Sequence, residues 1–208
     1  MAATLLKINP DNPQAAKIAQ VAEVLRNGGI IIYPTDTIYG LGCDLHNQRA
    51  VERVFKFKGL KPEKANLSFI CKDLTHISDY AKMDTQVYKV MKKALPGPFT
   101  FILEAGNKLP KVAGVRKKTV GIRVPDHKIP RCLVEELGNP LISTSLHDDD
   151  EILEYATDPE LLYEKYKHLV DVVIDAGAGN NVPSTVVSCE SGDFAILRQG
   201  AGDLEQYL

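Results

Sequence analysis

Short, largely apolar runs alternate with amphipathic segments along this chain of 208 residues. Such runs, bounded by glycine, proline or small polar residues, are typical of strands buried on both faces. They predict strands or extended segments at 30–33, 39–43, 67–71, 99–103, 119–124, 141–145, 170–175, 184–188 and 194–198. Apolar residues at helical spacing predict helices at 13–27, 47–57, 84–95, 127–137 and 158–167, with another helix beginning at Asp73. This alternation predicts an α/β fold in which helices cover a mixed sheet.

The predicted helices carry signals at their ends. Pro13 suits the first turn of the first helix, where no helical hydrogen bond needs its missing amide, and Gly28 suits the end of that helix. Asn47, Asp73 and Asp84 are typical N-cap residues, whose side chains accept a hydrogen bond from an amide of the first turn. No repeat or linker interrupts the pattern, so we expect one domain over residues 1–208 with a core at about 12–202.

Composition places few limits on the partners. Lys and Arg number 25 and Asp and Glu number 27, a net charge of −2, so nothing demands a nucleic acid or a membrane. The four cysteines form no Cys-x-x-Cys pair, which favours free thiols in a reducing compartment over a zinc site or disulfides. The first residues lack a signal-peptide pattern, and no apolar run approaches the roughly 20 residues that cross a bilayer. We therefore predict a cytoplasmic protein with no membrane partner.

Small polar residues, proline and glycine recur where the predicted strands begin or end. The segments concerned are 34–37, 123–125, 143–145, 184–185 and 198–200. Ligands bind at strand ends in open α/β sheets, and hydroxyl and guanidinium groups donate hydrogen bonds to phosphates and carboxylates. One threonine at such a place is typical of a turn, but five such segments together predict a ligand site.

Arg123 is the strongest single candidate for a residue of the ligand site. It lies in an otherwise apolar predicted strand, where an unpaired buried charge would be very costly. Two interpretations follow. Arg123 is one half of a structural ion pair, or it anchors an anionic substrate.

Two interpretations are open for the basic residues, and two are open for one acidic run. The basic residues are Lys56, Lys58, Lys61, Lys64, Lys92, Lys93, Lys108, Lys111, Arg116, Lys117 and Lys118. They are either solvated surface residues or a basic rim that attracts a polyanion such as ATP or RNA. The acidic run at 148–151 is either an exposed loop or a site for Mg²⁺, which prefers oxygen ligands. No histidines have metal-ligand spacing, and no motif of a serine hydrolase, a P-loop or a dinucleotide-binding fold is present.

Five ordered blocks resemble the signature of the YrdC/YciO family. They are YPTDTIYGLG at 33–42, PGPFT at 96–100, VGIRVP at 120–125, STVV at 184–187 and LRQG at 197–200. Their order and spacing also resemble the family over about 29–202. CKD at 71–73 and LISTSL at 141–146 resemble the YciO branch.

The resemblance implies a YrdC-type fold, a twisted mixed sheet with helices around a basic concave cleft. Family members that are threonylcarbamoyl-AMP synthases join L-threonine, bicarbonate and ATP, release pyrophosphate and supply the adenylate for the tRNA modification t6A. Carried over by position, the substrate-binding residues are Thr37, Arg123, Ser145 and Ser184. The nucleotide-binding residues are Lys58, Thr119 and Arg198. Lys58 and Arg123 would be catalytic, and Mg²⁺ would arrive with the nucleotide; no separate metal site is implied.

Two departures from the family pattern favour a paralogue with a shifted substrate as a variant of this hypothesis. Leu60 stands where the synthases carry an arginine, and His147 stands where they carry an asparagine. An arginine lost from a phosphate site removes a planar donor that lysine does not replace.

A different class of function is also open. The same basic cleft could bind transfer RNA or double-stranded RNA without catalysis. The many lysines favour this alternative and the acidic net charge opposes it. Binding through phosphates would weaken steeply with salt, whereas an adenylating enzyme would depend on threonine.

Overall fold

An eleven-stranded mixed sheet runs through the protein in the computed structural model, which describes residues 2–59, 61, 67–75, 77–107, 109–111, 117–146, 157–190 and 193–208. The strands in this part of the chain are β1 Thr4–Lys7, β2 Ile30–Tyr33, β3 Gly40–Asp44, β4 Ser68–Ile70, β5 Ala81–Lys82, β6 Phe99–Ala105, β7 Thr119–Arg123, β8 Leu141–Ser145, β9 Val172–Asp175, β10 Thr185–Ser188 and β11 Ala195–Arg198. Their order is β1-β9-β2-β3-β8-β4-β7-β6-β10-β11, and β5 pairs with β6.

The sheet contains both parallel and antiparallel strand pairs. β9 pairs in parallel with β1 and β2, and β7 pairs in parallel with β4. β3 lies antiparallel between β2 and β8, and β6 lies between an antiparallel β7 and a parallel β10. The sheet is therefore mixed, as the sequence predicts.

Helices cover both faces. They are α1 Ala15–Arg26, α2 Gln48–Lys58, α3 Ile77–Tyr80, α4 Thr85–Ala94, α5 Lys128–Leu137 and α6 Pro159–Tyr166, followed by a 3₁₀ turn at Leu204–Tyr207. Helices α1 and α5 pack on each other and on one face of the sheet, where Ile31 and Tyr33 point. Ile30 and Ile32 point into the larger core on the other face. A strand with two buried faces needs a continuous apolar sequence, which explains the run at 30–33.

Side-chain hydrogen bonds cap the starts of α2, α4 and α6. The carboxylate or amide oxygens of Asn47, Asp84 and Asp158 accept from amides of the first turns of α2, α4 and α6, at 3.1, 2.8 and 2.8 Å. Asn47 and Asp84 are thereby confirmed as caps.

Two predicted helix starts are wrong. Asp73 does not cap a helix, because its carboxylate accepts from the amide of Thr75 at 2.6 Å in a turn and α3 begins only at Ile77. This is the local side-chain bond by which aspartate favours turns over helices. Pro13 precedes α1 rather than entering it, and Gln14 supplies the N-cap position without a side-chain bond.

Some of the residues singled out in the sequence lie outside the described part of the chain. These residues are Leu60, Lys64, Lys108, Arg116, His147 and the acidic run at 148–151. In the described part, no helix is both long and apolar enough to cross a membrane.

Candidate functional site

A cleft of about 600 Å³ opens where strands from the middle of the sheet meet. Its described lining comes from β3, β4, β6, β7, β8, β10 and β11 together with the segments that adjoin them. The lining includes side chains from four of the five strand-end segments that the sequence singles out. They are Arg123, Ser143, Thr144, Ser145, Ser184 and Arg198, the last two lying at the same end of the antiparallel β10–β11 pair.

Five of the seven residues named by the family resemblance line this cleft. They are Thr119, Arg123, Ser145, Ser184 and Arg198. Thr37 is 1% exposed and does not belong to the described lining, but its hydroxyl contacts the guanidinium of Arg123. Lys58 is the last residue of α2 and also lies outside the described lining. Their roles in binding and catalysis remain predictions.

Arg123 is held by the loop between β2 and β3. Its NH2 nitrogen donates to Oδ1 of Asp36 at 2.6 Å, to the hydroxyl of Thr37 at 2.6 Å and to the hydroxyl of Thr35 at 3.1 Å. The side chains of Arg123 and Asp36 are 11% and 10% exposed. Arg123 therefore forms the ion pair of the first interpretation and also lines the cleft. Its role as an anchor for an anionic substrate stays a prediction.

The Arg123–Asp36 pair is incompletely satisfied. Oδ2 of Asp36 and Nε of Arg123 are buried and have no hydrogen-bond partner among the described residues. A buried polar atom left without a partner typically costs about 1–3 kcal/mol. Sequence reasoning missed Asp36 as a site residue, although it is the one carboxylate in the block at 33–42 and a buried arginine needs an anionic partner.

Arg198 reaches the cleft from the edge strand β11. Its NH2 and Nε donate to the carbonyl oxygen of Ser184 at 2.8 and 3.3 Å, and NH2 lies 3.5 Å from the hydroxyl oxygen of Ser184. That hydroxyl also pairs with the hydroxyl of Thr100 at 2.9 Å. Partial burial, and secondly the positive charge of Arg123, lower the pKa of Arg198 below its ordinary value. The positive charges of the two arginines therefore repel each other across one cavity.

A threonine on β10 fixes the segment that follows Arg198. The hydroxyl of Thr185 donates to the carbonyl of Gly202 at 2.6 Å and accepts from the amides of Gly200 and Gly202 at 3.0 Å each. A Cβ at Gly200 would lie 2.2 Å from the carbonyl oxygen of Pro183. The glycine of the LRQG block is thus required by close backbone packing beside the cleft.

The floor of the cleft is tied to the opposite face of the sheet through Tyr33. Its hydroxyl lies 2.5 Å from the hydroxyl of Ser143, and burial raises the pKa of Tyr33 to about 12. A Cβ at Gly40 or Gly42 would come within 3.1 or 2.8 Å of the Tyr33 ring. Glycines on β3 therefore make room for the ring. Sequence reasoning named Ser143 only as part of a polar segment and did not pair it with Tyr33.

The charge of the lining is mixed among the described residues. Lys117, Arg123 and Arg198 are cationic and Glu190 is anionic, and Asp36 stands directly behind Arg123. The basic character expected of the whole cleft remains a prediction. The described residues hold no group of three or more His, Cys, Asp or Glu side chains that would suit a metal ion.

Comparison with known proteins gives a consistent result at the level of sequence. The family model Sua5_yciO_yrdC, whose description reads "Telomere recombination", matches residues 23–200. An uncharacterized protein of Haemophilus influenzae is 39% identical over 202 residues, covering 97% of both chains. The uncharacterized protein YciO of Escherichia coli K12 is 37% identical over 203 residues, again covering 97% of both chains.

Solved structures match along nearly the whole chain. The crystal structure of E. coli YciO superposes with a TM-score of 0.89 at 35% identity and covers 99% of this chain and 100% of its own. P. abyssi Sua5 complexed with L-threonine superposes with a TM-score of 0.85 at 25% identity and covers 98% of this chain and 59% of its own. The α/β fold and the predicted likeness to the YciO branch are confirmed, and the chain belongs to the Sua5/YciO/YrdC family.

Proposed function

We propose that the protein binds ATP and an L-threonine-like amino acid in the cleft and joins them, with bicarbonate, into a threonylcarbamoyl adenylate. The observation that carries this proposal is the placement of two guanidinium groups, Arg123 and Arg198, on one cavity lined with hydroxyls. Guanidinium groups bind carboxylates and phosphates through paired, charge-assisted hydrogen bonds. A cavity of about 600 Å³ is of the size that holds a small molecule.

Arg123 suits the carboxylate end of the ligand. Its NH2 nitrogen is bound to the loop at 35–37, which fixes the plane of the guanidinium while the residue faces the cleft. A planar donor fixed in this way binds a carboxylate with little loss of side-chain entropy. The likeness to P. abyssi Sua5, which has been crystallised with L-threonine, supports an amino acid at this end.

Arg198 suits the phosphate end. It is anchored to Ser184 through uncharged acceptors, so its positive charge is available to a phosphate. Mg²⁺ bound to the nucleotide would neutralise further phosphate charge. Thr119 and Ser145 line the same cavity and can donate hydroxyl hydrogen bonds to oxygens of the ligand.

The reaction that these residues would serve needs positioning and charge stabilisation. L-threonine and bicarbonate form the carbamate with loss of water. An oxygen of that carbamate then bonds to the α-phosphorus of ATP, and the bond from this phosphorus to the bridging oxygen breaks, releasing pyrophosphate. Arg198 would stabilise the charge that develops on the leaving group, and Arg123 would hold the carboxylate in place. The adenylate would then serve the tRNA modification t6A.

Two alternatives belong to the same test. A paralogue with a shifted substrate would bind ATP but another carboxylate, which Leu60 and His147 in place of the family residues favour. A protein that binds tRNA or double-stranded RNA would show an affinity that falls steeply with salt.

Calorimetric titration of Arg123→Gln and Arg198→Gln tests the assignment of the two ends. We expect Arg123→Gln to weaken L-threonine binding about tenfold and Arg198→Gln to weaken ATP binding about tenfold, each with less effect on the other ligand. Arg131→Gln is the matched control, because Arg131 bonds the carbonyl of Lys72 and does not belong to the described lining. The proposal would be contradicted if neither variant lost affinity for L-threonine or ATP and the protein bound RNA instead.

A further inference from the structure

The two guanidinium groups on the cleft differ in the charge of their partners. Arg123 forms an ion pair with Asp36 at 2.6 Å. Arg198 bonds the carbonyl and hydroxyl of Ser184, which are uncharged. Among the described residues no carboxylate forms an ion pair with Arg198, and the lining carboxylate Glu190 accepts from the hydroxyl of Ser188. One end of the cleft therefore carries a compensated cation and the other an uncompensated one.

The Asp36 carboxylate shares the Arg123 nitrogen with two uncharged acceptors. The hydroxyls of Thr35 and Thr37 already accept from the same nitrogen. Burial of an ion pair gives little net stabilisation unless all its atoms are satisfied. Oδ2 of Asp36 and Nε of Arg123 are both buried, and neither has a hydrogen-bond partner among the residues that the structure describes. The ion pair is therefore weak evidence that Asp36 serves stability alone.

Asp36 acts from behind Arg123. Arg123 belongs to the described lining of the cleft and Asp36 does not. Because Asp36 is in direct contact with the guanidinium, its negative charge opposes the attraction of Arg123 for any second anion, and the opposition is strongest for ligands of high charge.

We propose that Asp36 is a specificity-determining positioning residue, which keeps the Arg123 end of the cleft neutral so that this end accepts a zwitterionic or singly charged carboxylate and leaves multiply charged phosphate to Arg198. The inference rests on the proposed function and deepens it by assigning a ligand charge to each end of the cleft. It also predicts a single orientation for a ligand that has a carboxylate at one end and phosphates at the other.

Asp36→Asn isolates the charge, since asparagine keeps an oxygen that accepts from Arg123. Calorimetric titration with inorganic pyrophosphate is expected to give about tenfold tighter binding in Asp36→Asn than in the wild type, with L-threonine changed by less than about threefold. Asp126→Asn makes the same charge change at an exposed residue that follows β7, and it should change neither affinity by more than about twofold. Pyrophosphate binding that is unchanged or weaker in Asp36→Asn would overturn the inference. If Asp36 had only a structural role, removing its charge would not tighten the binding of pyrophosphate.

Arg198→Gln in the wild-type background gives an independent test if Asp36→Asn does not fold. With Asp36 in place, Arg123 should not hold pyrophosphate, so this variant is expected to lose about thirtyfold or more in pyrophosphate affinity. A loss below about threefold would overturn the inference, since Arg123 would then be binding phosphate itself.

These titrations need no turnover. If no adenylate forms but the pyrophosphate affinities follow the expected order, the proposed reaction fails and the role of Asp36 stands. If the adenylate forms but Asp36→Asn leaves pyrophosphate affinity unchanged, the reaction stands and the role of Asp36 fails.

Discussion

The hydroxyl of Tyr33 and the hydroxyl of Ser143 meet at 2.5 Å in the middle of the sheet. Tyr33 is completely buried against the α1–α5 side of the core, whereas Ser143 lines the cleft. The bond therefore connects the packing of two helices to the position of a polar group on the floor of the site. It also explains why β3 carries glycine at two positions beside the ring.

Replacing Tyr33 by phenylalanine should destabilise the fold without changing its packing. The variant leaves the Ser143 hydroxyl without its partner, and we expect the free energy of unfolding to fall by about 1–2 kcal/mol. Urea unfolding measures the change. Tyr88→Phe serves as the control, because Tyr88 is 42% exposed and its loss of a hydroxyl should cost less than about 0.5 kcal/mol. Equal stability of the two variants would contradict the importance of the Tyr33–Ser143 bond.

Replacing Arg198 by lysine should weaken nucleotide binding although the charge is kept. Lysine is a single flexible point donor, so it cannot keep both bonds to the Ser184 carbonyl and still present a planar face to the ligand. We expect the Kd for ATP to rise about tenfold, equivalent to about 1.4 kcal/mol. Arg131→Lys, which changes an arginine bonded to the carbonyl of Lys72, should leave that Kd unchanged. An Arg198→Lys variant that binds ATP like the wild type would show that charge alone is sufficient at this end.

Stability should decrease in mild acid because of His127. Burial lowers the pKa of His127 below its ordinary value, and the negative charges of Asp36, Asp126 and Asp11 only partly oppose this. The unfolded chain therefore binds the proton first as the pH falls through about 6.5, so stability present above that pH is lost as it falls towards the folded pKa. The free energy of unfolding of the wild type should thus be lower at about pH 5.5 than at about pH 7.5.

His127→Asn should reduce this pH dependence. His127 also caps α5 by accepting from the amide of Ile129 at 3.3 Å, and asparagine is a good N-cap, so the helix start is kept while the titrating group is removed. His168→Asn, at an exposed position, should keep the wild-type slope. If His127→Asn and the wild type lose the same stability between the two pH values, another group is responsible.

The sequence predicts those parts of the fold that depend on burial along a single segment. The run at 30–33 is apolar throughout because both faces of β2 are covered, and local periodicity detects such a strand. β1 is missed because Thr4–Lys7 is an exposed edge strand, defined by its pairing with β9 rather than by its own pattern. Asp73 is misassigned because its carboxylate can close a turn or cap a helix, and only the following residues decide between the two.

The same distinction applies to the site. Arg123 stands out because a charge in an apolar strand is locally anomalous. Its partner Asp36 does not stand out, because an aspartate in a polar loop is ordinary until the fold brings β2 and β7 into the same region. The family resemblance predicts that Thr37 contacts the substrate. In the structure Thr37 is buried outside the described lining of the cleft, and its hydroxyl accepts a hydrogen bond from Arg123.

ATP–pyrophosphate exchange tests the central claim most directly. The purified protein is assayed with L-threonine and bicarbonate together, and then with each omitted in turn. We predict exchange that requires both, and that is lost in Arg123→Gln and Arg198→Gln but kept in Arg131→Gln. No exchange, while ATP still raises the melting temperature, would contradict the synthase assignment and favour a nucleotide-binding paralogue with another substrate. The absence of both exchange and stabilisation by ATP would contradict nucleotide binding in this cleft altogether.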